Sequence, residues 1–322
     1  MLIRHTLKLF NKRICAAHEP YISSVFRPIV GYAPNVALPL RYHEKLLWRK
    51  LFDRNPLFVT FSDKLATKEY MRQRAPGLKV PETLWNGQSI ADAPDSLFRE
   101  KVFFKCNHGC AFNYYWDGTK GNFDEAQMLT KRWLRTLHGA DAYEWAYSGV
   151  APTIYAERLI GTRDEGVIDI NIRCADGEPI VASLIRHNKS PRKQAGYYDI
   201  EGRRLFPSQG PNPAAGFGEL PADFPVPGVF HQAVGHAREL SRGVDYARFD
   251  FMTDARELFG GEITVYPASG HSKATTGEEF GIDKLVNEHW DIGKSWFINT
   301  PQHGWKNFYR FLLRSALRHC RA

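Results

Sequence analysis

Two stretches of the sequence hold side chains that could do chemistry together. The first is YARFDFMTDARELFGGEITVY, residues 246–266. Strand alternation puts Arg248 and Asp250 on one face of its first half, and Glu262 and Thr264 on one face of its second half, between Gly260 and Tyr266. A turn centred near Arg256 sets Asp250 opposite Glu262. Two carboxylates, a hydroxyl and an arginine on one sheet face form a hard-oxygen site of the kind that holds Mg²⁺ carrying phosphate. The same spacing fits a solvated face with a cross-strand charge pattern. The second stretch is FFKCNHGCAFN, residues 103–113. As a zinc knuckle, Cys106, His108 and Cys110 are spaced too tightly and lack a second pair. A cysteine nucleophile there needs a histidine and an orienting carboxamide from elsewhere. A strand that ends at Lys105 and opens into a polar loop containing His108 and Gly109 fits phosphate better, with backbone N–H groups and the lysine supplying positive potential.

The surrounding pattern must position these residues. Residues 1–55 carry apolar positions at helical spacing among basic ones, broken by a Pro-rich stretch from Pro28 to Pro39, and read as a helical lead. From Pro56 short strands and helices alternate. PLFVTF reads as a strand, SDKLATKEYMRQRA as a helix capped by Ser62 or Asp63, and VPETLW, EKVFFK and TIYAERLI as strands. GVIDINIRCADGEPIVASLIR is a hairpin turning at Asp176-Gly177, with Ile168, Ile170 and Ile172 on one face and Asp169, Asn171 and Arg173 on the other. Residues 207–228 are rich in Pro and Gly and resist regular structure, as a lid or mobile excursion would. VFHQAVGHARELSRG reads as a helix closed by Gly243. The segment 305–321 is amphipathic, with Trp305, Phe308, Tyr309 and Leu312 along one stripe. The fold class is mixed α/β (α+β).

The chain has 322 residues, enough to bury a large core without disulfides or structural metal, and its five cysteines form no regular framework. No apolar run reaches the roughly 18–20 residues of a membrane span, and the start does not read as a cleaved leader. A cytoplasmic setting is expected. A formal charge of +8 favours anionic partners, and the excess gathers late, since no Asp or Glu follows Asp291. RHNKSPRK, with His187, Lys189, Arg192 and Lys193, could meet an acidic acceptor or simply be solvated, and His271 and Lys273 could help place a substrate.

Taken in order, SDK at 62–64, FFKCNHG at 103–109, YAERLI at 155–160, RFD at 248–250 and GEIT at 261–264 resemble the ATP-grasp superfamily. Within it they resemble the TupA-like branch, associated with teichuronopeptide and bacterial cell-surface polysaccharide biosynthesis. The resemblance implies an ATP-grasp fold, two α+β subdomains clamping ATP, over residues 56–285, between the helical lead at 1–55 and a basic helical tail at 286–322. It implies an ATP-dependent carboxylate–amine ligase that works through an acyl phosphate, with ATP and Mg²⁺. Lys64 and Lys105 correspond to the two ATP lysines, and Glu157 with the backbone around Leu159 to the adenine hinge. Asp250 and Glu262 correspond to the metal carboxylates, and Arg248 faces the transferred phosphate. Thr264 stands where the family commonly has Asn, and Cys110 and Ala111 make the loop less glycine-rich than in many relatives. The expected partner is a small-molecule or glycan acceptor bearing a carboxylate or amine, with no nucleic acid. The segment 305–321 could also lie on an anionic inner membrane leaflet. Two rivals stay open: a glycan kinase on the same fold, and a non-catalytic basic module for polyanions. Against the second, facing carboxylates repel a polyanion.

Overall fold

In the computed structural model, residues 2–161, 166–188, 190–205, 218–254, 256–271 and 281–321 are described; Lys189, Lys273 and residues 207–217 of the Pro- and Gly-rich stretch lie outside them. The alternating segments form two sheets. The smaller contains β1 (Thr83–Gly87), β2 (Lys101–Cys106), β3 (Asn113–Asp117) and β4 (Ile154–Arg158), ordered β1-β4-β2-β3 with antiparallel neighbours. The larger contains β5 (Ile168–Ala175), β6 (Glu178–Arg186), β7 (Gln194–Tyr198), β8 (Gly218–Glu219), β9 (Ala247–Thr253) and β10 (Leu258–Thr264). Its order is β10-β9-β5-β6-β7-β8, with β7 and β8 parallel and the other neighbours antiparallel. The principal helices are α1 (Leu2–Ala17), α2 (Tyr42–Phe52), α3 (Leu57–Ser62), α4 (Lys64–Arg74), α5 (Phe123–Arg135), α6 (Phe230–Ser241), α7 (Gly281–His289) and α8 (Trp305–Arg321).

Period-two alternation fixes the large sheet. Ile170 and Ile172 on β5, Leu184 on β6, and Phe249 and Phe251 on β9 are buried, packed in one core with Ala233, Ala237 and Leu240 of α6. The β5–β6 turn places Asp176 and Gly177 at φ 49° and 88°, the left-handed pair a tight hairpin demands. A second core joins Val102 and Phe104 of β2 and Ala156 of β4 to Ala126 and Trp133 of α5. Burying each large side chain of this kind contributes about 1.5–3 kcal/mol.

PLFVTF is a correction: Leu57–Ser62 is helical. The run is too short for periodicity to separate strand from helix, and its flanks decide. The Asn55 side chain accepts the Leu57 N–H at 3.1 Å, Pro56 supplies a preset φ at the helix start, and Phe58 and Phe61, three apart, reach the same core.

The lead and the C-terminal helix share a third core, in which Leu46 and Trp48 of α2 meet Tyr309 and Leu313 of α8. The Trp48 indole N–H donates to the Tyr309 hydroxyl at 2.9 Å. α2 is also tied to the large sheet. Buried Arg49 donates to the carbonyls of Tyr246 and Val265, both at 2.9 Å, and to the Asp245 carboxylate at 2.8 Å, anchoring the residues that flank β9 and β10. Of the stripe expected on α8, Tyr309 and Leu312 are buried, whereas Trp305 and Phe308 are about half exposed. No described helix is long and apolar enough to cross a membrane.

Candidate active site

On the large sheet, Asp250 of β9 pairs directly with Glu262 of β10, and Arg248 with Thr264. The pairing is not a simple ladder. Gly260 faces Phe251, but Glu262, not Gly261, faces Asp250, so Gly261 is the extra residue of a β-bulge. The bulge switches the alternation: Gly260 lies against Met71 and Leu78 on the core side, not beside Glu262 as regular alternation predicts, and Glu262 joins Asp250 on the polar face. Arg248 donates to both Asp250 oxygens, from Nε at 2.7 Å and from Nη2 at 2.5 Å, and to the Thr264 hydroxyl at 3.2 Å. Glu262 lies 3.8 Å from the same guanidinium and keeps about half of its side chain exposed.

This cluster suits a divalent ion. Burial pushes the Asp250 carboxyl up to about 6; Arg248 pulls it down, while the like charges of Glu262 and Asp169 push it up again. A cation would relieve that repulsion. Among the described residues no three His, Cys, Asp or Glu are grouped to hold a metal. Mg²⁺ is commonly held by one or two carboxylates plus phosphate and water, which is what Asp250, Glu262 and the Thr264 hydroxyl offer.

The small sheet carries the second half. The Lys105 ammonium on β2 contacts the Glu157 carboxylate on β4, and Lys68 of α4 reaches the other oxygen of Glu157 at 2.7 Å. Burial alone raises the Glu157 pKa, but Lys105 and Lys68 together more than offset it and hold it below the ordinary range. Lys68 also donates to the Pro81 carbonyl and the Thr83 hydroxyl, each at 2.9 Å. Leu159 follows directly after β4.

The loop after β2 is anchored at several points. Asn107 imitates a strand residue: its N–H donates to the Thr153 carbonyl at 3.0 Å, and its side-chain oxygen accepts the Thr153 N–H at 2.8 Å. His108 is turned into the protein, with Nδ1 3.1 Å from the Cys106 sulfur and Nε2 2.9 Å from the Thr136 carbonyl. Its ring is therefore engaged by the scaffold, which leaves the backbone of the loop to meet a ligand. Gly109 sits at φ 84°, and a Cβ there would lie 2.7 Å from the Phe112 ring, so only glycine fits. Cys106 is buried, and burial raises its thiol pKa, contrary to what a metal ligand or nucleophile requires.

One helix holds the two halves together. Asp63 caps α4, accepting the Leu65 N–H at 2.9 Å. The Lys64 N–H donates to the Asn107 carbonyl at 2.9 Å, and the Lys64 ammonium contacts the Gly109 carbonyl. Four residues on, Lys68 grips Glu157; three further, Met71 packs against Gly260 of β10. Positions i, i+4 and i+7 share one helix face, so a single stripe about 10 Å long touches the loop, the small sheet and the carboxylate strand. The buried Tyr155 phenol, raised by burial, feels Glu157 from one sheet and Glu262 from the other. Lys68 escaped the sequence reading, although its spacing from Lys64 on a capped helix was a usable signal.

Arg173 was also undervalued. It pairs with Arg248 across β5 and β9, and its Nε and Nη1 are buried with no acceptor. His271 accepts from or donates to the Tyr21 hydroxyl at 2.6 Å, and Lys50 donates to the Ser269 carbonyl at 2.6 Å, holding the turn that follows β10.

The profile of the TupA-like ATP-grasp family matches residues 44–285. The chain belongs to this family. Its fold is mixed α/β with two sheets, in keeping with membership of an ATP-grasp family. Similar solved structures include D-alanine–D-alanine ligase from Bacillus anthracis complexed with ATP, 18% identical, covering 63% of this chain and 54% of that one, at a TM-score of 0.35. The L-amino acid ligase from Bacillus licheniformis is 16% identical, with 71% and 50% covered and a TM-score of 0.41. The ATP-grasp ligase PsnB, complexed with a phosphomimetic variant of its minimal precursor, Mg and ADP, is 15% identical, with 73% and 61% covered and a TM-score of 0.37. The chain thus spans only half to about three fifths of the length of these three proteins. No curated protein sequence matches it.

Proposed function

We propose that the protein is an ATP-dependent carboxylate–amine ligase that acts through an acyl phosphate, in bacterial cell-surface polysaccharide biosynthesis or modification. Family membership supports the nucleotide and the reaction class. The observation that carries the reading is the register of Asp250 and Glu262 beside Arg248, linked by α4 to the buried lysine–glutamate cluster of the small sheet.

In this reading Asp250 and Glu262, with Thr264, hold Mg²⁺, which when bound neutralises charge on the phosphate oxygens. Lys105, Lys64 and the loop backbone through Gly109 meet the phosphates, while Glu157 and the backbone at Leu159 meet the adenine edge. A carboxylate is a poor electrophile in water. Its oxygen attacks the γ-phosphorus and the bond to ADP breaks, giving an acyl phosphate. The amine nitrogen then attacks the carbonyl carbon, the C–O bond to phosphate breaks, and the nitrogen loses a proton to solvent. Arg248 balances charge on the transferred group. Arg173, whose own Nε and Nη1 are buried without an acceptor next to Arg248, is the residue we assign to orienting the acceptor carboxylate.

The test is titration calorimetry of ATP with Mg²⁺ into wild type, Asp250→Asn and Glu262→Gln, followed by a phosphate-release screen with uronic acids and amino acids. Metal-dependent ATP binding should be lost or strongly weakened in both variants, and turnover should fall by on the order of 100-fold or more. ADP formation without free phosphate would reassign the protein as a kinase. Absence of ATP binding in wild type would refute the site.

A further inference from the structure

The two helices at the ends of the chain pack together. The Phe10 ring of α1 lies 6.3 Å from Trp305 and from Phe308, and 5.8 Å from Tyr309, all on α8. Each helix has met its need for core. α1 buries Leu7 and Ile14; α8 buries Tyr309, Leu312, Leu313, Ala316 and Leu317. Beyond these, α8 leaves Phe311 66% exposed and Phe308 52% exposed, with Trp305 half exposed at its first turn, and α1 leaves Leu2 and Leu9 exposed.

The charge on the same helices is of one sign. α1 carries Arg4, Lys8, Lys12 and Arg13, and α8 carries Lys306, Arg310, Arg314, Arg318 and Arg321; neither contains an Asp or Glu. Arg310 is partly spent on the Ile298 and Thr300 carbonyls, at 3.3 and 3.1 Å. Arg314 and Arg318 are exposed, and Phe308, Phe311, Arg314 and Arg318 succeed one another at steps of three, three and four residues, which places all four on the outward face of α8. Exposed aromatic rings flanked by arginines, on a face without acid, match a surface whose charge is negative and whose interior is apolar.

We propose that α1 and α8 together form a docking surface for an anionic lipid bilayer, with Phe308 and Phe311 entering the interface and the basic residues meeting the head groups. The helices lie flat on the surface, as amphipathic interfacial helices do. A nucleic acid would use the charge but leave outward phenylalanines of a convex helix face without a role, so lipid is the better match. This inference rests on the surface alone and is independent of the ligase reading.

The experiment is sedimentation of the full chain with vesicles of phosphatidylcholine alone or mixed with phosphatidylglycerol. The chain should co-sediment with the mixed vesicles, lose affinity as salt is raised, and remain in solution with the neutral ones. Arg314→Gln/Arg318→Gln should weaken partitioning by roughly five-fold per residue, and Phe311→Ser should weaken it while leaving the salt dependence unchanged. Both variants keep the buried face of α8, so their thermal unfolding should match wild type. Equal sedimentation with neutral vesicles, unaltered binding by both variants, or binding of duplex DNA with no vesicle binding would each overturn the proposal.

Discussion

Glu157→Gln should be the most informative single change in the small sheet. In the native protein one carboxylate neutralises two ammonium groups, and both Lys68 and Glu157 are almost wholly buried, at 3% and 6% side-chain exposure. Removing the negative charge leaves two facing lysines, one without access to water, and stranding a buried charge in this way costs about 3–5 kcal/mol. The variant should therefore be less stable than wild type by that amount in urea unfolding at pH 7. The pH dependence makes the cause visible. Burial already lowers the Lys68 pKa, with Glu157 the principal opposing influence; without Glu157 it falls further. The unfolded state then binds more protons than the folded state over the interval up to the ordinary lysine pKa, so stability should rise with pH there. The deficit should shrink between pH 7 and 10. Adding Lys68→Met should restore most of the loss at pH 7, whereas Lys68→Met alone should cost only about 1–2 kcal/mol, because Lys105 still neutralises Glu157. A Glu157→Gln variant within 1 kcal/mol of wild type, or a deficit that does not change with pH, would refute the reasoning.

A separate pH effect should come from Asp53, whose carboxyl is pushed by burial and the nearby Asp245 to about 7, against Arg49 and the Phe297 N–H. Its folded pKa lies above its unfolded one, so the folded state holds the extra proton. Its contribution to stability is full below about pH 4 and is lost as pH rises through 7; Asp53→Asn should flatten that slope in chemical denaturation, and an unchanged slope would exclude Asp53 as its source. Gly261→Ala places a methyl 3.0 Å from the Asp250 carbonyl oxygen. Relief requires a backbone shift costing about 1–3 kcal/mol, and Mg²⁺-dependent ATP affinity should drop while metal-independent nucleotide binding is spared; a variant with wild-type metal dependence would show that the bulge does not set the carboxylates.

How much of this was legible in the sequence depended on whether a residue's role is set locally. The Asp250–Glu262 pairing was reached from a turn centred near Arg256, but Thr253 pairs with Leu258, so an uninterrupted ladder would set Asp250 opposite Gly261, and the bulge is what brings Glu262 there. The bulge was harder to read, but it too left a trace. Leu258 and Ile263 are both core residues an odd number of positions apart, which uninterrupted alternation forbids, and two glycines lie between them. Helix α3 was misread because a five-residue apolar run carries no period; its capping Asn55 and Pro56 were the better signal. His108 looked like a ligand-facing residue in a polar loop, and only the fold reveals that the Thr136 carbonyl, 28 residues away, takes its ring nitrogen. Contacts of that range have no sequence signature short of an alignment.

Helix α4 illustrates why these separate readings converge on one site. A loop, a sheet edge and a carboxylate strand from distant parts of the chain need a common reference to stay in register, and a rigid helix with one working face provides it. Lys64, Lys68 and Met71 each serve a different element, and the spacing between them is fixed by helix geometry rather than by the loops. A small rotation of α4 would move all three together: Lys68 would leave Glu157, Met71 would strike Gly260, and the Gly109 carbonyl would lose the Lys64 ammonium. The loop and the carboxylates are therefore coupled through packing even where they do not touch, and substitutions at Met71, which carries no charge and meets no ligand, should affect the site more than its distance from the chemistry suggests.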